Sequence, residues 1–466
     1  MQKTTNILGL LQNILGTKLV ELVEMSKGYF AHTGHFSLTN LSRWVSGKSL
    51  RSIERFYASA QDWNDHTFTL VAAFLSGLVS DSIFFKQDWC LVLDETVGKK
   101  SGAETHGLGY HYSSKDDKVI KSVAVLSASL VHLSKKLSLP MCREQLIFTT
   151  TPEKEAKKEA KKAKSVAVSG SEKKSVGRPK GSKNKVKTAE EKLPAYTFQV
   201  FERISGVFAA LYGKYLSKLI TYDYIVGDGG FGNNTVATMC LAQGKHLISK
   251  LHYNAALYFV FSGEQKSRGR KRIYGEKLDC RMLSVLHADK LIDTQVQKDG
   301  SIWYVYQLNN MLHKSFDKPI NVVLIVKCDK DGKMKNKYAG VVLFTTDLKA
   351  TAKTIMDFYQ VRFQIEFNFR DARQYFGLSH FKNIKEKQVG NVIGFSFFMV
   401  ALSNILIFNL RQLKPDIKVG IQDLKAFFRA EKYLAEILNS VGFDQTQFLN
   451  LKSIENMPLV GQINAA

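Results

Sequence analysis

Cysteine is scarce and scattered in this chain: Cys90, Cys142, Cys240, Cys280 and Cys328 stand far apart, with no CxxC and no Cys/His spacing. That excludes a disulfide framework and a zinc site and points to reduced, mostly buried thiols of a cytosolic protein. The N-terminus has no charged segment leading into an apolar core and a small-residue cleavage site, so no secretory leader is expected. A Walker loop is missing as well. The glycine cluster Gly227-Asp228-Gly229-Gly230-Phe231-Gly232 is expected to be neither a GxxxxGK[ST] nor a GxGxxG phosphate loop. One stretch, Gly390 to Leu410, is long and apolar enough for a bilayer, but Asn391, Ser396, Ser403, Asn404 and Asn409 interrupt it. It is expected as a buried core helix, and no membrane partner is expected.

What is abundant is positive charge. Lys and Arg number 66 against 42 Asp and Glu, a formal charge of +24 with a pI near 9.6. An excess of that size calls for a polyanionic partner, with nucleic acid ahead of a membrane surface. The 466 residues, 45% hydrophobic and 11% aromatic, suffice for two or three domains and a substantial core.

Residues 1–85 have helical apolar spacing, and LSRWVSGKSLRSIERFY places a Gly47 turn between two short amphipathic pieces bearing Arg43, Lys48, Arg51 and Arg55. Helix, turn and basic helix fit a DNA-reading pair, with Arg43 and Arg51 as DNA contacts; a plain helical hairpin with a solvated basic face is the equal alternative. In 86–151 the run WCLVLDETVGKKSG predicts a buried strand ending at Asp94, followed by two strands of a meander at Gly107–Ser113 and Val119–Leu130. Glu95 is expected to point away from Asp94. Residues 152–194 are Lys-rich and free of aromatics, which predicts an insertion that cannot order itself. Within it, Arg178, Lys180 and Lys183 in GRPKGSK fit either an AT-hook-like minor-groove contact or a generic phosphate-binding linker.

In 195–252 a helix at Thr197–Leu219 leads to a strand at Tyr222–Val226, with Asp228 at its end, and then to a strand at His246–His252. Residues 253–337 alternate apolar and polar and carry turns, so a β-rich insertion is expected, with a basic patch at Lys266, Arg268, Arg270, Lys271 and Arg272. Residues 338–390 return with a strand at Tyr338–Thr346 and a helix, and 391–466 close the chain with helices, Leu424–Leu438 being amphipathic and basic.

The helix in 338–390 holds the most unusual side chains. Tyr359 to Arg373 reads YQVRFQIEFNFRDAR, without Pro or Gly and with apolar residues every three or four positions, which predicts one helix. At 3.6 residues per turn, Tyr359, Glu366 and Arg373 share a stripe, with Arg362 beside them. A carboxylate between two guanidiniums and a phenol suits a metal ion next to a polyanion; the alternative is a surface helix laced with salt bridges.

The stripe resembles the Y-(2)-R-(3)-E-(6)-K signature of DDE transposases of the bacterial insertion sequence four family, with Arg373 where that family usually has Lys. Asp94 and Asp228, each at a predicted strand end, stand where that family has its two aspartates. The resemblance implies an α/β fold: an RNase H-like mixed-sheet core interrupted by a β-rich insertion, with helical N- and C-terminal regions. It implies that Asp94, Asp228 and Glu366 are the catalytic residues and hold two Mg²⁺ ions, Mn²⁺ being able to substitute. Two such ions can activate water and stabilise the leaving 3′ oxygen in an in-line phosphoryl transfer. Arg362 and Arg373 are then expected on flanking phosphates and Tyr359 on a displaced nucleotide. Trp303 is either the aromatic that stacks a flipped base or a sheet core residue. The implied activity is a transposase, an endonuclease that frees a 3′-OH at transposon ends and joins it to target DNA. Its partners are double-stranded DNA and a second subunit in a synaptic homodimer, and its place is the bacterial cytoplasm, at the nucleoid. Two alternatives remain: a domesticated DNA-binding protein without catalysis, and an RNase H-like nuclease without strand transfer.

Overall fold

The first helices are set by their caps and apolar faces. In the computed structural model, which describes residues 7–16, 19–79, 88–113, 116–147, 196–334, 340–413 and 418–440, the chain opens with α1 (Ile7–Leu15), α2 (Glu21–Ala31), α3 (Leu38–Ser42), α4 (Leu50–Ala58) and α5 (Trp63–Val79). Ser37 and Ser49 cap α3 and α4 by accepting from Asn40 N and Ser52 N. Between those helices Gly47 takes φ +67°, the left-handed region in which a side chain would be strained. Helix α4 buries Ile53 and Tyr57 and leaves Arg51 and Arg55 in solvent. The insertion 152–194, with Arg178, Lys180 and Lys183, lies outside the described residues.

The sheet is built outward from β1 (Trp89–Lys99), whose first five residues are buried, as an apolar run in a central strand requires. It pairs antiparallel with β3 (Lys118–His132), which also carries β2 (Gly109–Ser113) and β4 (Leu137–Leu146). Pro140 sits in β4 where the register shifts, on a strand that pairs only with β3, so its missing N–H leaves no ladder bond unmade. On its other side β1 runs parallel to β5 (Tyr222–Gly227), and β5 parallel to β6 (His246–Leu251). The crossovers are α6 (Tyr196–Tyr215) before β5 and α7 (Asn234–Ala242) before β6.

Beyond β6 the sheet continues. The segment expected as a β-rich insertion supplies β7 (Leu257–Val260), β8 (Tyr274–Lys277), the short helix α8 (Leu283–Leu286), β9 (Leu291–Val296), β10 (Ile302–His313) and β11 (Ile320–Cys328), and β12 (Val341–Thr345) follows. The order is β2-β3-β1-β5-β6-β12-β11-β10-β7-β8, with β4 on β3 and β9 on β10, making twelve strands. The insertion therefore shares one mixed sheet with the core. The cause is visible in β11: its first seven residues are all buried, so it needs cover on both faces and cannot lie at a free edge.

The predicted single helix over Tyr359–Arg373 is two. Helix α9 (Ala352–Val361) ends and α10 (Gln364–Tyr375) begins across Arg362 and Phe363. Both linking residues keep right-handed helical dihedrals, but the backbone bonds there tighten to i→i+3, as in Arg362 N to Tyr359 O and Ile365 N to Arg362 O. With no Pro or Gly present, this is a tightened 3₁₀-type joint and leaves no composition signal.

Two further helices close the molecule: α11 (Glu386–Leu413) and α12 (Ile421–Ser440). Helix α11 is apolar enough to span a bilayer, yet 89% of its most apolar window is buried in protein. The polar residues that interrupt it explain why. Asn391 accepts from Trp63 Nε1 at 2.9 Å and donates to the carbonyls of Tyr57 and Ser59 at 2.6 and 2.8 Å. Ser396 donates to Phe376 O, and Asn404 to Ser138 O, each at 2.7 Å. Each bond fixes the helix to a different neighbour, which a lipid surface could not do.

Candidate active site

Asp94 and Asp228 are brought together by parallel pairing. The β1–β5 register runs from Trp89↔Tyr222 to Leu93↔Gly227, and the next residue on each strand is the aspartate. Strand β1 does not end at Asp94, as the sequence suggested, but runs to Lys99 paired with β3 alone. What ends there is the parallel ladder, and with it the partner that would cover Asp94. Asp228 begins the turn after β5: its Oδ1 accepts from Gly230 N at 2.9 Å, and its carbonyl from Ser249 Oγ at 2.6 Å.

The glycines around Asp228 do stand at GxGxxG spacing after a strand, but they serve packing. A Cβ on Gly232 would lie 2.5 Å from the carbonyl oxygen of Lys250 on β6. The start of α7 is occupied as well, since the Asn233 side chain accepts from Val236 N. This is a strand-to-helix turn holding a carboxylate, not a dinucleotide loop.

Arg362, at the joint between α9 and α10, ties the third carboxylate to the first. Its Nη1 lies 3.1 Å from Asp94 Oδ2 and its Nη2 2.9 Å from Glu366 Oε1. The side chains of Arg362 and Asp94 are 16% and 17% exposed, Glu366 40%, so the bridge opens to solvent on the Glu366 side. Tyr359 packs its ring 5.9 Å from the guanidinium carbon. The predicted role of Arg362 thus differs from its observed contact: it is spent on two carboxylates here rather than directed outward. Along the same helix, Nη2 of Arg373 donates to Thr96 Oγ1 on β1, two residues beyond Asp94, while its Nε is buried without an acceptor.

Repulsion among these acids is underneutralised. Burial raises Asp94 to about 6; Arg362 and the Glu95 N–H oppose the rise, while Asp228 and Glu366 add to it. Glu95 is exposed at the surface, yet its carboxyl is raised as well, its inner side losing solvent to the protein and Asp228 and Asp94 adding to the rise. Strand alternation had suggested that Glu95 stands apart from this chemistry; electrostatically it is the fourth member. Burial also raises the Tyr359 phenol and lowers the Arg373 guanidinium.

Hard carboxylate oxygens under mutual repulsion fit a hard dication, which would supply the missing positive charge. No three metal-binding side chains among the described residues stand together as a finished cage, because the Arg362 guanidinium holds the space between Asp94 and Glu366. The donor chemistry of Asp94, Asp228 and Glu366 fits a divalent ion.

The remaining predicted contacts lie elsewhere. Trp303 is half-buried on β10, opposite Lys327 of β11, whose ammonium sits 4.2 Å from its ring centroid. Arg43 and Arg51 are exposed on and beside the short N-terminal helices, with no hydrogen bond or ion pair to the carboxylates. Lys266, Arg268, Arg270, Lys271 and Arg272 are all exposed between β7 and β8, Arg272 lying over the Phe261 ring. Sequence reasoning missed Thr96 and the joint at Arg362, and it discounted Glu95, which neighbours a named carboxylate.

A model described as DDE superfamily endonuclease matches residues 15–304, which include Asp94 and Asp228. One described as transposase DDE domain matches residues 212–401, which include Asp228, Arg362, Glu366 and Arg373. Among solved structures the chain is similar to the piggyBac transposase synaptic complex with hairpin DNA, at 12% identity over 93% of this chain and 76% of that one, with a TM-score of 0.39. No curated protein matches the sequence.

Proposed function

Because the chain belongs to the DDE superfamily of endonucleases, we propose that it is a transposase of the insertion sequence four type, cutting DNA at transposon ends and joining the freed 3′-OH to target DNA. The observation that carries this reading is the parallel pairing that sets Asp94 and Asp228 on adjacent strands, together with the Arg362 guanidinium that bridges Asp94 to Glu366. A purely DNA-binding protein gains nothing from a buried acid such as Asp94 set beside other acids. The strand order, with three antiparallel strands leading into two parallel ones, supports an RNase H-like core.

In this reading Asp94, Asp228 and Glu366 hold Mg²⁺ or Mn²⁺, two ions in all, and such ions supply a nucleophilic oxygen and charge stabilisation for phosphodiester cleavage. The protein's own residues do the positioning. The end of the β1–β5 ladder fixes the two aspartates side by side. Arg362 neutralises Asp94 and Glu366 until a phosphodiester offers its oxygens to the same guanidinium, which binds phosphate and carboxylate with one geometry. Arg373, anchored on Thr96 with an N–H to spare, holds a flanking phosphate in register with β1. Tyr359 is in place to pack against a displaced nucleotide. The protein acts on double-stranded DNA as a homodimer that holds two ends, in the bacterial cytoplasm at the nucleoid.

The test is Mg²⁺-dependent cleavage of a labelled duplex bearing the ends of the element that encodes this chain, wild type beside Glu366→Ala. Metal-dependent cutting lost in the variant supports the assignment. Tight binding with no cutting by wild type, across metals and end sequences, refutes it in favour of a DNA-binding protein.

A further inference from the structure

A second cluster of charge lies at the far end of α10. Gln374 and Tyr375, eight and nine residues beyond Glu366 and therefore roughly 12–14 Å along the helix from it, line a cavity of about 150 Å³, roughly the bulk volume of five waters. Its other walls are the turn after α2, with His32, Thr33 and Gly34, and one face of α12, with Lys425 and Arg429. His380 completes the rim, its ring 4.8 Å from that of His35. Among the described residues that line it there is no carboxylate.

The cations are only partly used. Lys425 Nζ donates to Tyr29 O at 3.0 Å and Arg429 Nε to Ala31 O at 3.3 Å, capping the C-terminal carbonyls of α2. A helix end carries about half a unit of negative charge, less than the guanidinium of Arg429 alone supplies. Neither cation has an ion-pair partner among the described residues, and an ammonium retains two further N–H donors after its first bond, a guanidinium four. Burial and then Arg429 push Lys425 down to about 7, and burial and then Lys425 push His32 down to about 4. Burial is the first cause of both shifts, and the neighbouring cation adds to each. Thr33, Gly34, Gln374 and His380, all exposed, bring the cavity to the surface.

We propose that this cavity is an oxyanion site that seats one phosphate group on Lys425 and Arg429, with His380 at its mouth, tying α2, α10 and α12 together when filled. A single phosphate presents the same oxygens whether it is free or part of a DNA backbone. The proposal does not depend on the cleavage reading.

The test uses the full chain and two variants. Gln374→Glu places a carboxylate at the exposed mouth while leaving both caps in place, and Arg429→Gln removes the guanidinium. Thermal unfolding is followed against inorganic phosphate, with ionic strength held by chloride, and binding of a random-sequence duplex is followed against salt. Wild type is expected to show a saturable rise in midpoint with phosphate, and each variant at least an approximately tenfold weaker response. If the slope of log K against log salt also falls by about one in the variants, the seat takes a backbone phosphate. If the phosphate response is lost and the slope stays, it takes a free one. Wild-type phosphate response and wild-type slope in both variants would reduce the cluster to a helix cap and overturn the proposal, whatever the outcome of the cleavage assay.

Discussion

Replacing Asp94 by Asn should make the protein more stable and inactive at once. Asp94 titrates near 6 in the folded chain, against 3.8 in the absence of the site. A carboxyl whose folded pKa is raised binds more protons folded than unfolded between those values, so its ionisation costs stability as pH climbs. The cost is about 0.5 kcal/mol at pH 4, about 1.5 kcal/mol at pH 5 and about 3 kcal/mol at pH 7.5. Asn mimics the neutral form, and its amide oxygen can still accept from Arg362 Nη1, which reaches Asp94 at 3.1 Å. For a chain of this length the unfolding entropy is on the order of 1 kcal/mol/K, so the variant should melt about 3 °C higher at pH 7.5 in EDTA. That advantage should shrink to under about 1 °C at pH 4. Mg²⁺ should raise the melting point of wild type and not of the variant, closing the gap from the other side. The measurement is a thermal melt at three pH values with and without the ion. An Asn variant less stable than wild type at pH 7.5, or a gap that does not narrow on acidification, would show that the acids are not held at the expense of the fold.

Three other perturbations follow from the same geometry. Asp228→Ala and Glu366→Ala should each abolish cleavage, by more than about a thousandfold in rate, with duplex affinity near wild type in a gel-shift assay; cutting retained by either variant removes that residue from the site. Asn391→Leu strands the Trp63 N–H and the carbonyls of Tyr57 and Ser59, and a chemical melt should register a loss of roughly 2–6 kcal/mol, since each of the two fully buried groups, the Trp63 N–H and the Tyr57 carbonyl, costs about 1–3. Deleting residues 153–192 removes a block of lysines; non-specific duplex binding should weaken and its salt slope flatten while single-turnover cleavage at matched occupancy stays.

The carboxylates were legible because their chemistry restricts which residues can stand there, and a strand followed by polar, Gly-bearing residues is a local signal. Where β1 truly ends was not, because Glu95 to Lys99 extend only by pairing with β3, more than twenty residues away. Strand β4 gave no sign of itself: Pro140 reads locally as an interruption and is harmless only because of where the register shifts. The joint at Arg362 contains no helix breaker, so nothing in its local composition signals the tightened backbone bonds. Helix α11 was the opposite case. Its scattered Asn and Ser residues pointed to protein surroundings, and those side chains are the ones that make its cross-links.

The single sheet has a mechanical meaning. Hydrogen-bonded ladders run without a gap from β1 through β5, β6, β12 and β11 to β10, and from there to the hairpin whose tip carries Arg268 and Arg270. The join is uneven, however: β10 meets β7 through only two residue pairs, beyond a register shift between Leu308 and Met311. Bending of the molecule would therefore concentrate at that narrow seam, between the basic tip and the strands that carry Asp94 and Asp228.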